Sequence, residues 1–205
     1  FKTMLFDQRL RLAASAFIAK YSDFQVSQFV PTDVGTVITL TNAGKVTTKG
    51  VEVEATALLP INFTVTANVG YVHAIFDSFA DGGGPGIDYT GNVLPYAPRL
   101  KESLAVDYHH PLFGSVEFEF HADYAHTDSS FSNPSNSPLY EADARGITNL
   151  RVGLASASSG WSAYLFARNL TNAVYADYRD VSFIGVERAA YGPPRMYGLE
   201  MRYKF

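Results

Sequence analysis

The chain has 205 residues, 47% of them hydrophobic and 14% aromatic, with a formal net charge of -4, a length that allows one large domain or two small ones. It contains no cysteine, which excludes disulfides and thiolate metal sites, and its acidic balance gives no reason to expect a nucleic-acid partner. The longest apolar run, "LAASAFIA" at 12–19, falls far short of the roughly 20 residues of a membrane helix, and no signal peptide is present. The chain opens abruptly inside "FKTMLFDQRL", and we expect a mature or truncated product.

Period-two alternation runs through nearly all of it and predicts nine strands, at 2–7, 9–28, 38–59, 62–78, 99–110, 115–128, 142–157, 161–178 and 194–205. In the second, Leu10, Leu12, Ala14, Ala16 and Ile18 oppose Arg9, Arg11, Ala13 and Ser15. In the third, Val51, Val53, Ala55, Ala57 and Leu59 oppose Glu52, Glu54 and Thr56. In the sixth, Val116, Phe118, Phe120, Ala122 and Tyr124 oppose Glu117, Glu119, His121 and Asp123. The eighth, "WSAYLFARNLTNAVY", is apolar on both faces as far as Arg168, so its register stays open. In the ninth, Tyr197, Leu199, Met201, Tyr203 and Phe205 oppose Gly198, Glu200, Arg202 and Lys204. The 13 Tyr and 15 Phe, against one Trp, suit strands over helices.

Short and long connections take turns. "FDQR", "LPIN", "HPLFG" and "SSG" are tight, whereas "VPTDVG", "FADGGGPGIDYTGNVLPYAP", "TDSSFSNPSNSPLYEAD" and "DVSFIGVERAAYGPP" are longer and rich in turn residues. An up-and-down meander of this kind puts tight turns at one end and loops at the other, the habit of outer-membrane barrels. A soluble sandwich or lipocalin-like barrel also alternates, but its usual strands are about 5–6 residues long, and a membrane crossing takes about 9–11. Tyr71, Tyr108, Tyr124, Trp161, Tyr175, Tyr178 and Tyr203 lie near predicted strand ends, as two interfacial girdles require.

Three stretches carry a family resemblance. "NAGKVTTKGVEVEATALLP" (42–60) resembles the Gly-Val-Glu strand of TonB-dependent outer-membrane receptors. "ARNLTNAVYADY" (167–178) is similar to the Asn-Leu-(Thr/Phe)-(Asn/Asp)-x-x-Tyr segment before their last hairpin, and "YGPPRMYGLEMRYKF" (191–205) to their closing strand. The three stand in the family's order over essentially the whole chain. The resemblance implies an all-β, antiparallel, up-and-down transmembrane barrel of about 22 strands, crossing the bacterial outer membrane many times. It also implies an N-terminal plug domain, energisation by the TonB complex through that plug, and a small-molecule ligand, commonly a ferric siderophore. Tyr203 and Phe205 would be read by the β-barrel assembly machinery. No plug or energy-coupling box is found here, and nine strands is odd where single-chain bacterial barrels are even. We therefore expect residues 1–205 to be the C-terminal portion of the barrel.

Other chemistry was weighed against this. His121 and Asp123 share a strand face with Glu117 and Glu119, which admits an outer-membrane hydrolase, but no Gly-x-Ser-x-Gly nucleophile motif accompanies them. A charged lumen wall is the better reading, with no catalytic residues and no cofactor. His109 and His110 point to opposite faces, as turn-flanking interface residues. The "DGGGPGID" segment (81–88) has Asp81 and Asp88 at its edges but neither EF-hand spacing nor a phosphate-loop ending, and it reads as a flexible extracellular loop with no metal. Two sequons, at Asn62 and Asn169, fall within predicted strands. Arg9, Arg11, Glu52, Glu54, Glu117, Glu119, Arg151, Glu200, Arg202 and Lys204 are expected to face the lumen and the plug. Ligand contacts are expected from Tyr89, Tyr96, Phe131, Tyr140, Phe183, Arg188 and Tyr191 in the outer loops. The alternative to a transporter is a self-contained barrel of eight strands, a passive pore or structural protein.

Overall fold

The two-residue rhythm of the sequence becomes one long antiparallel meander. The structure is a computed structural model that describes residues 1–205 apart from positions 33, 34, 157, 183 and 205, and the side chains of 27–39 and 41. Among the described residues the strands are, in order, β1 Lys2–Leu5, β2 Leu10–Thr32, β3 Gly35–Leu59, β4 Phe63–Ser78, β5 Leu100–Phe113, β6 Val116–Thr127, β7 Ser130–Phe131, β8 Glu141–Ala142, β9 Arg145–Ser156, β10 Trp161–Arg168, β11 Ala176–Val181, β12 Glu187–Tyr191 and β13 Met196–Tyr203. Nine of them form a single sheet in the order β1-β2-β3-β4-β5-β6-β9-β10-β13. β1 and β13 are its opposite edges and do not pair with each other. The sheet is a partial barrel, so the closed eight-stranded alternative is not what this chain forms.

The tight turns all lie at one end. Phe6, Asp7 and Gln8 (φ 53°, 53° and 66°) reverse the chain between β1 and β2. A single 3₁₀ turn, Pro60–Asn62, joins β3 to β4, and Gly114, at φ 57°, joins β5 to β6. The opposite end carries the segments 79–99, 128–144 and 169–195, and the far end of the β2–β3 hairpin. That hairpin, with strands of 23 and 25 residues, overshoots its neighbours, which have 16 or fewer.

Register separates two faces. One carries Leu12 opposite Ala55, Val53 opposite Val69, Val65 opposite Val106, and Leu165 opposite both Val152 and Leu199. Its side chains are bare: Ile18 is 66% exposed, Leu165 62% and Met201 73%. The other face carries Glu54 opposite Ala13 and Asn68, Asp107 opposite His121, and Glu200 opposite Tyr164. Large apolar side chains left in the open along one whole face need a partner other than this protein. Rings cluster toward the ends of the apolar face: Phe63 stacks on Tyr108 at 4.4 Å and Tyr108 meets Phe118 at the short-turn end, Trp161 faces Tyr203 there, and Tyr71 and Tyr124 lie toward the loops.

The compact core is small and lies at the loop end of the polar face. Ala43, Val46, Phe76 and Phe79 are fully buried, with Phe24, Val26, Tyr89 and Leu94 packed around them. The glycine-rich segment closes over this cluster. Asp81 Oδ1 accepts from Gly86 N at 2.6 Å and Asp88 Oδ1 from Thr90 N at 2.8 Å, so both carboxylates are occupied in turns. Phe79 and Tyr89 pack together at its base, and residues 85–88 stay exposed.

Three expectations are corrected. The eighth strand stops at Arg168 instead of 178, because Asn169 and Asn172 adopt φ of 50° and 54°, a left-handed geometry that asparagine tolerates in turns and that ends a strand. Tyr175 and Tyr178 therefore belong to the loops and not to a girdle. Neither sequon lies in a strand: Asn62 closes the 3₁₀ turn and Asn169 sits in the turn after β10.

Candidate functional site

Two regions of the polar face carry chemistry. The first is a network across β5, β6, β9, β10 and β13, in the half nearer the tight turns. His121 on β6 sets Nδ1 2.7 Å from Asp107 Oδ1 on β5 and Nε2 3.2 Å from Asp123 Oδ1 on its own strand. Two residues apart on a strand means the same face, which is why Asp123 reaches it. Asn149 Nδ2 on β9 donates to Asp123 Oδ2 at 2.8 Å. Tyr164 on β10 donates its hydroxyl to Glu119 Oε2 at 2.7 Å. The Arg151 guanidinium lies 3.5 Å over the Tyr164 ring and 3.6 Å from Glu200 Oε1, which also ion-pairs with Arg202 Nε at 2.8 Å. Tyr164 lies flat because β9 offers Gly153 beneath it: a Cβ there would stand 2.5 Å from the ring and 2.1 Å from Ala163 O.

This network can hold charge, and its Tyr164 hydroxyl is donated to Glu119. Both ring nitrogens of His121 face carboxylates, which is satisfied when both carry a proton, and neither is then a base. Among the described residues the partners of His121 are these two carboxylates. No group of metal-ligating side chains with the makings of a site occurs among the described residues. The cavity beside it, of about 360 Å³, is lined by Asp107, Glu117, Glu119, His121, Arg151 and Tyr164.

The residues expected on the charged face fall out as follows. Arg11, Glu52, Glu54, Glu117, Glu119, Arg151, Glu200 and Arg202 are all in strands on the polar face, and Glu52 accepts from Ser15 Oγ at 3.2 Å. Arg9 lies in the first turn, where its carbonyl accepts from Leu58 N. Lys204 follows β13, its N–H donating to Gly160 O. Glu102 departs from the pattern: it pairs with Val69 on the apolar face, at the loop end.

The second region is built by three loops locked together. Asn136 accepts from Val93 N and donates to Val93 O (2.8 and 3.0 Å), Asn92 Nδ2 donates to Pro134 O, and Tyr96 N donates to Phe131 O at 2.8 Å. These bonds join 79–99 to 128–144. Asp143 then accepts from Ala176 N at 2.7 Å and pairs with Arg179 at 3.2 Å, and Ser132 Oγ donates to Arg179 O, which adds the β11–β12 hairpin. Beneath the stretch 94–98 lies a cavity of about 740 Å³, open to the polar face and lined by Glu52, Asn68, Lys101 and Tyr96 among others.

The loop aromatics differ in availability. Tyr96 and Tyr191 are 65% and 63% exposed. Tyr89 packs edge-on against Phe79, and burial pushes its hydroxyl pKa up. Phe131 is held in β7, and Tyr140 in the 3₁₀ turn Pro138–Tyr140, where its carbonyl accepts from Ser132 N. Arg188 is committed to Asp180 through two hydrogen bonds. That pairing holds the Asp180 carboxyl below the usual range. Burial, followed by the hydrogen bond to Asp180, pushes the Tyr178 hydroxyl up to about 12. Phe183 and Phe205 lie outside the described residues.

Sequence reasoning gave Asn169 no structural role. It is 4% exposed. Its side chain accepts from Ala173 N at 2.8 Å and donates to Ala173 O and Pro193 O at 2.9 and 3.0 Å. Its own N–H donates to Asn149 Oδ1 at 3.0 Å. Asn149 thus bridges this turn to Asp123 and His121. The signal was present: two asparagines three apart in "NLTN" are turn formers, masked by the apolar residues on either side.

Comparison with known proteins fits this architecture. A family model for the TonB dependent receptor-like β-barrel matches residues 1–170. Among solved structures, the chain is similar to the ferric yersiniabactin uptake receptor FyuA from Yersinia pestis (TM-score 0.77, 19% identity, 96% of this chain and 28% of that one). It is similar as well to BauA, the ferric preacinetobactin receptor from Acinetobacter baumannii (TM-score 0.69, 16% identity, 97% and 28%), and to the copper transporter OprC (TM-score 0.70, 15% identity, 96% and 30%). The chain spans less than a third of each. Open sheet, two-faced strands, one-sided turns and family model agree: this chain belongs to the TonB-dependent receptor β-barrel family.

Proposed function

We propose that the chain is the C-terminal part of a larger outer-membrane barrel, of about 22 strands, that imports a scarce solute with energy from the TonB complex. The observation that carries this is the open nine-stranded sheet with one apolar and one charged face. An edge left in hydrocarbon costs several kcal/mol per unpaired backbone group, so β1 and β13 need further strands beside them. On this reading the apolar face meets lipid. The charged face lines the lumen and, through Glu52, Glu54, Glu117, Glu119, Arg151, Glu200 and Arg202, meets an N-terminal plug. The locked loops present Tyr96 and Tyr191 to the ligand, above the cavity beneath 94–98.

A ferric siderophore is the solute we favour, because several structural relatives are ferric-chelate receptors. The test is uptake. Deleting the gene is expected to abolish accumulation of labelled iron from one chelate in a siderophore panel, and deleting the TonB gene to do the same. Unchanged uptake of every chelate in the first strain would refute the iron assignment. Loss of uptake in that strain but not in the TonB deletion would refute energisation by TonB.

A further inference from the structure

The apolar face ends in a cluster of lysines. On β2 its row runs Leu10, Leu12, Ala14, Ala16, Ile18, and the next member is Lys20. On β3 it runs from Leu59 to Val51, followed by Lys49, Thr47 and Lys45. On β4 it runs from Phe63 to Tyr71, followed by His73. Register fixes their neighbours: Lys20 pairs with Thr47, Lys49 with Ile18 and His73, and Lys45 with Ser22. Lys45 and Lys49 are thus the two diagonal neighbours of Lys20, within roughly 7–8 Å of it.

All three lysines are exposed, and none forms a salt bridge among the described residues. The carboxylates closest in the strands are Asp77, which accepts from Thr47 Oγ1, and Asp23 at the β2 irregularity. Glu102 is on the same face, two strands away from Lys49. Three ammonium groups side by side repel one another, and the one carboxylate among them, Asp77, is bonded to Thr47 and ion-paired with none of the three, which leaves the patch net positive. Its height in the sheet says which. From Leu10 to Ile18 and from Phe63 to Tyr71 the apolar rows span about nine residues, near the 9–11 of a membrane crossing. The tight turns mark the inner end. The lysines therefore stand where hydrocarbon gives way to outer-leaflet headgroups, next in their rows after Ile18 and Val51.

We propose that Lys20, Lys45 and Lys49 bind the phosphate groups of a phosphorylated outer-leaflet lipid, fixing the height of the long β2–β3 hairpin in the membrane. This rests on the transmembrane reading above. Free phosphate offers the same charge, but the patch is continuous with the lipid-facing surface, which favours a phosphate that comes with acyl chains.

The experiment uses the full-length receptor purified in mild detergent from outer membranes, with bound phosphorylated glycolipid counted by native mass spectrometry. The parent is expected to retain the lipid. The triple variant K20Q/K45Q/K49Q should lose it, with affinity falling about two orders of magnitude at near fivefold per lysine, while K20R/K45R/K49R keeps it. On the parent alone, the dephosphorylated lipid should fail to compete and millimolar inorganic phosphate should fail to displace. Equal retention by the glutamine variant, or equal competition by dephosphorylated lipid, overturns the proposal; displacement by inorganic phosphate overturns the lipid source. Should the glutamine variant fail to insert, the competition arm still decides. Solute uptake by the parent, measured in parallel, reports on the transport reading separately.

Discussion

Asn169→Ala is expected to be among the most damaging single changes in this chain that touch no charge. The carboxamide makes three hydrogen bonds, to Ala173 N, Ala173 O and Pro193 O, and the residue is 4% exposed, so water cannot replace them. At about 1 kcal/mol net for each bond, the loss is about 3 kcal/mol. Alanine at a φ of 50° adds roughly 1 kcal/mol of backbone strain, which asparagine and glycine largely avoid. We expect a total of about 4 kcal/mol for Asn169→Ala and about 3 for Asn169→Gly, which loses the bonds without the strain. The assay is a urea titration of the full-length receptor in lipid vesicles, followed by tryptophan fluorescence and by the heat-modifiable band. The Asn149 bridge gives a second readout: hydrogen exchange at 169–173 should rise in both variants. A loss below about 1 kcal/mol in Asn169→Ala, with unchanged exchange, would refute the assignment of this side chain as the fastening of the last loop.

Three further outcomes are expected. Leu199→Arg, on the apolar face, should cost about 2–4 kcal/mol and Glu200→Arg distinctly less in the same titration; the reverse ranking would put the charged face in lipid. Deleting Phe205 should lower outer-membrane abundance without changing transcript level, read by immunoblot of membrane fractions, and equal abundance would remove its role in assembly. Tyr178 should ionise near pH 12 instead of the usual 10. Its contribution is then complete below pH 10 and lost as pH rises from 10 toward 12, since the unfolded hydroxyl ionises first; the difference absorbance at 295 nm between the parent and Tyr178→Phe checks it.

Much of this fold was legible in the residues because a barrel strand obeys one rule. Leu10 to Ile18, Val51 to Leu59 and Tyr197 to Tyr203 each alternate without a break, so strand, face and register follow from period two alone. The rule failed where both faces are apolar. In β10, Tyr164 and Phe166 point to the polar side, against Gly153 and Gly198, and nothing in "WSAYLF" reveals that each ring lies on a glycine of a neighbouring strand. The rule also failed at Asn169, where a turn is fixed in part by a hydrogen bond to Pro193, 24 residues along the chain. The site was read less completely than the fold. Charges on a strand face could be named from position, but the committed pairs, Arg188 with Asp180 and His121 with Asp107, depend on which loop or strand lies alongside. Glu102 and the three lysines escaped notice for the opposite reason: they sit in the apolar rows, past the point where the unbroken apolar stretch ends.

The most direct test is a nitroxide scan of β13. Single labels at Gly198, Leu199, Glu200, Met201 and Arg202 in the full-length receptor, reconstituted in vesicles, would be compared for collision with oxygen, which concentrates in lipid, and with a water-soluble nickel chelate. Accessibility should alternate with period two, oxygen maxima falling at 199 and 201 and nickel maxima at 198, 200 and 202. Oxygen maxima at 198, 200 and 202, or no alternation at all, would contradict a lipid-facing apolar surface and with it the transmembrane barrel.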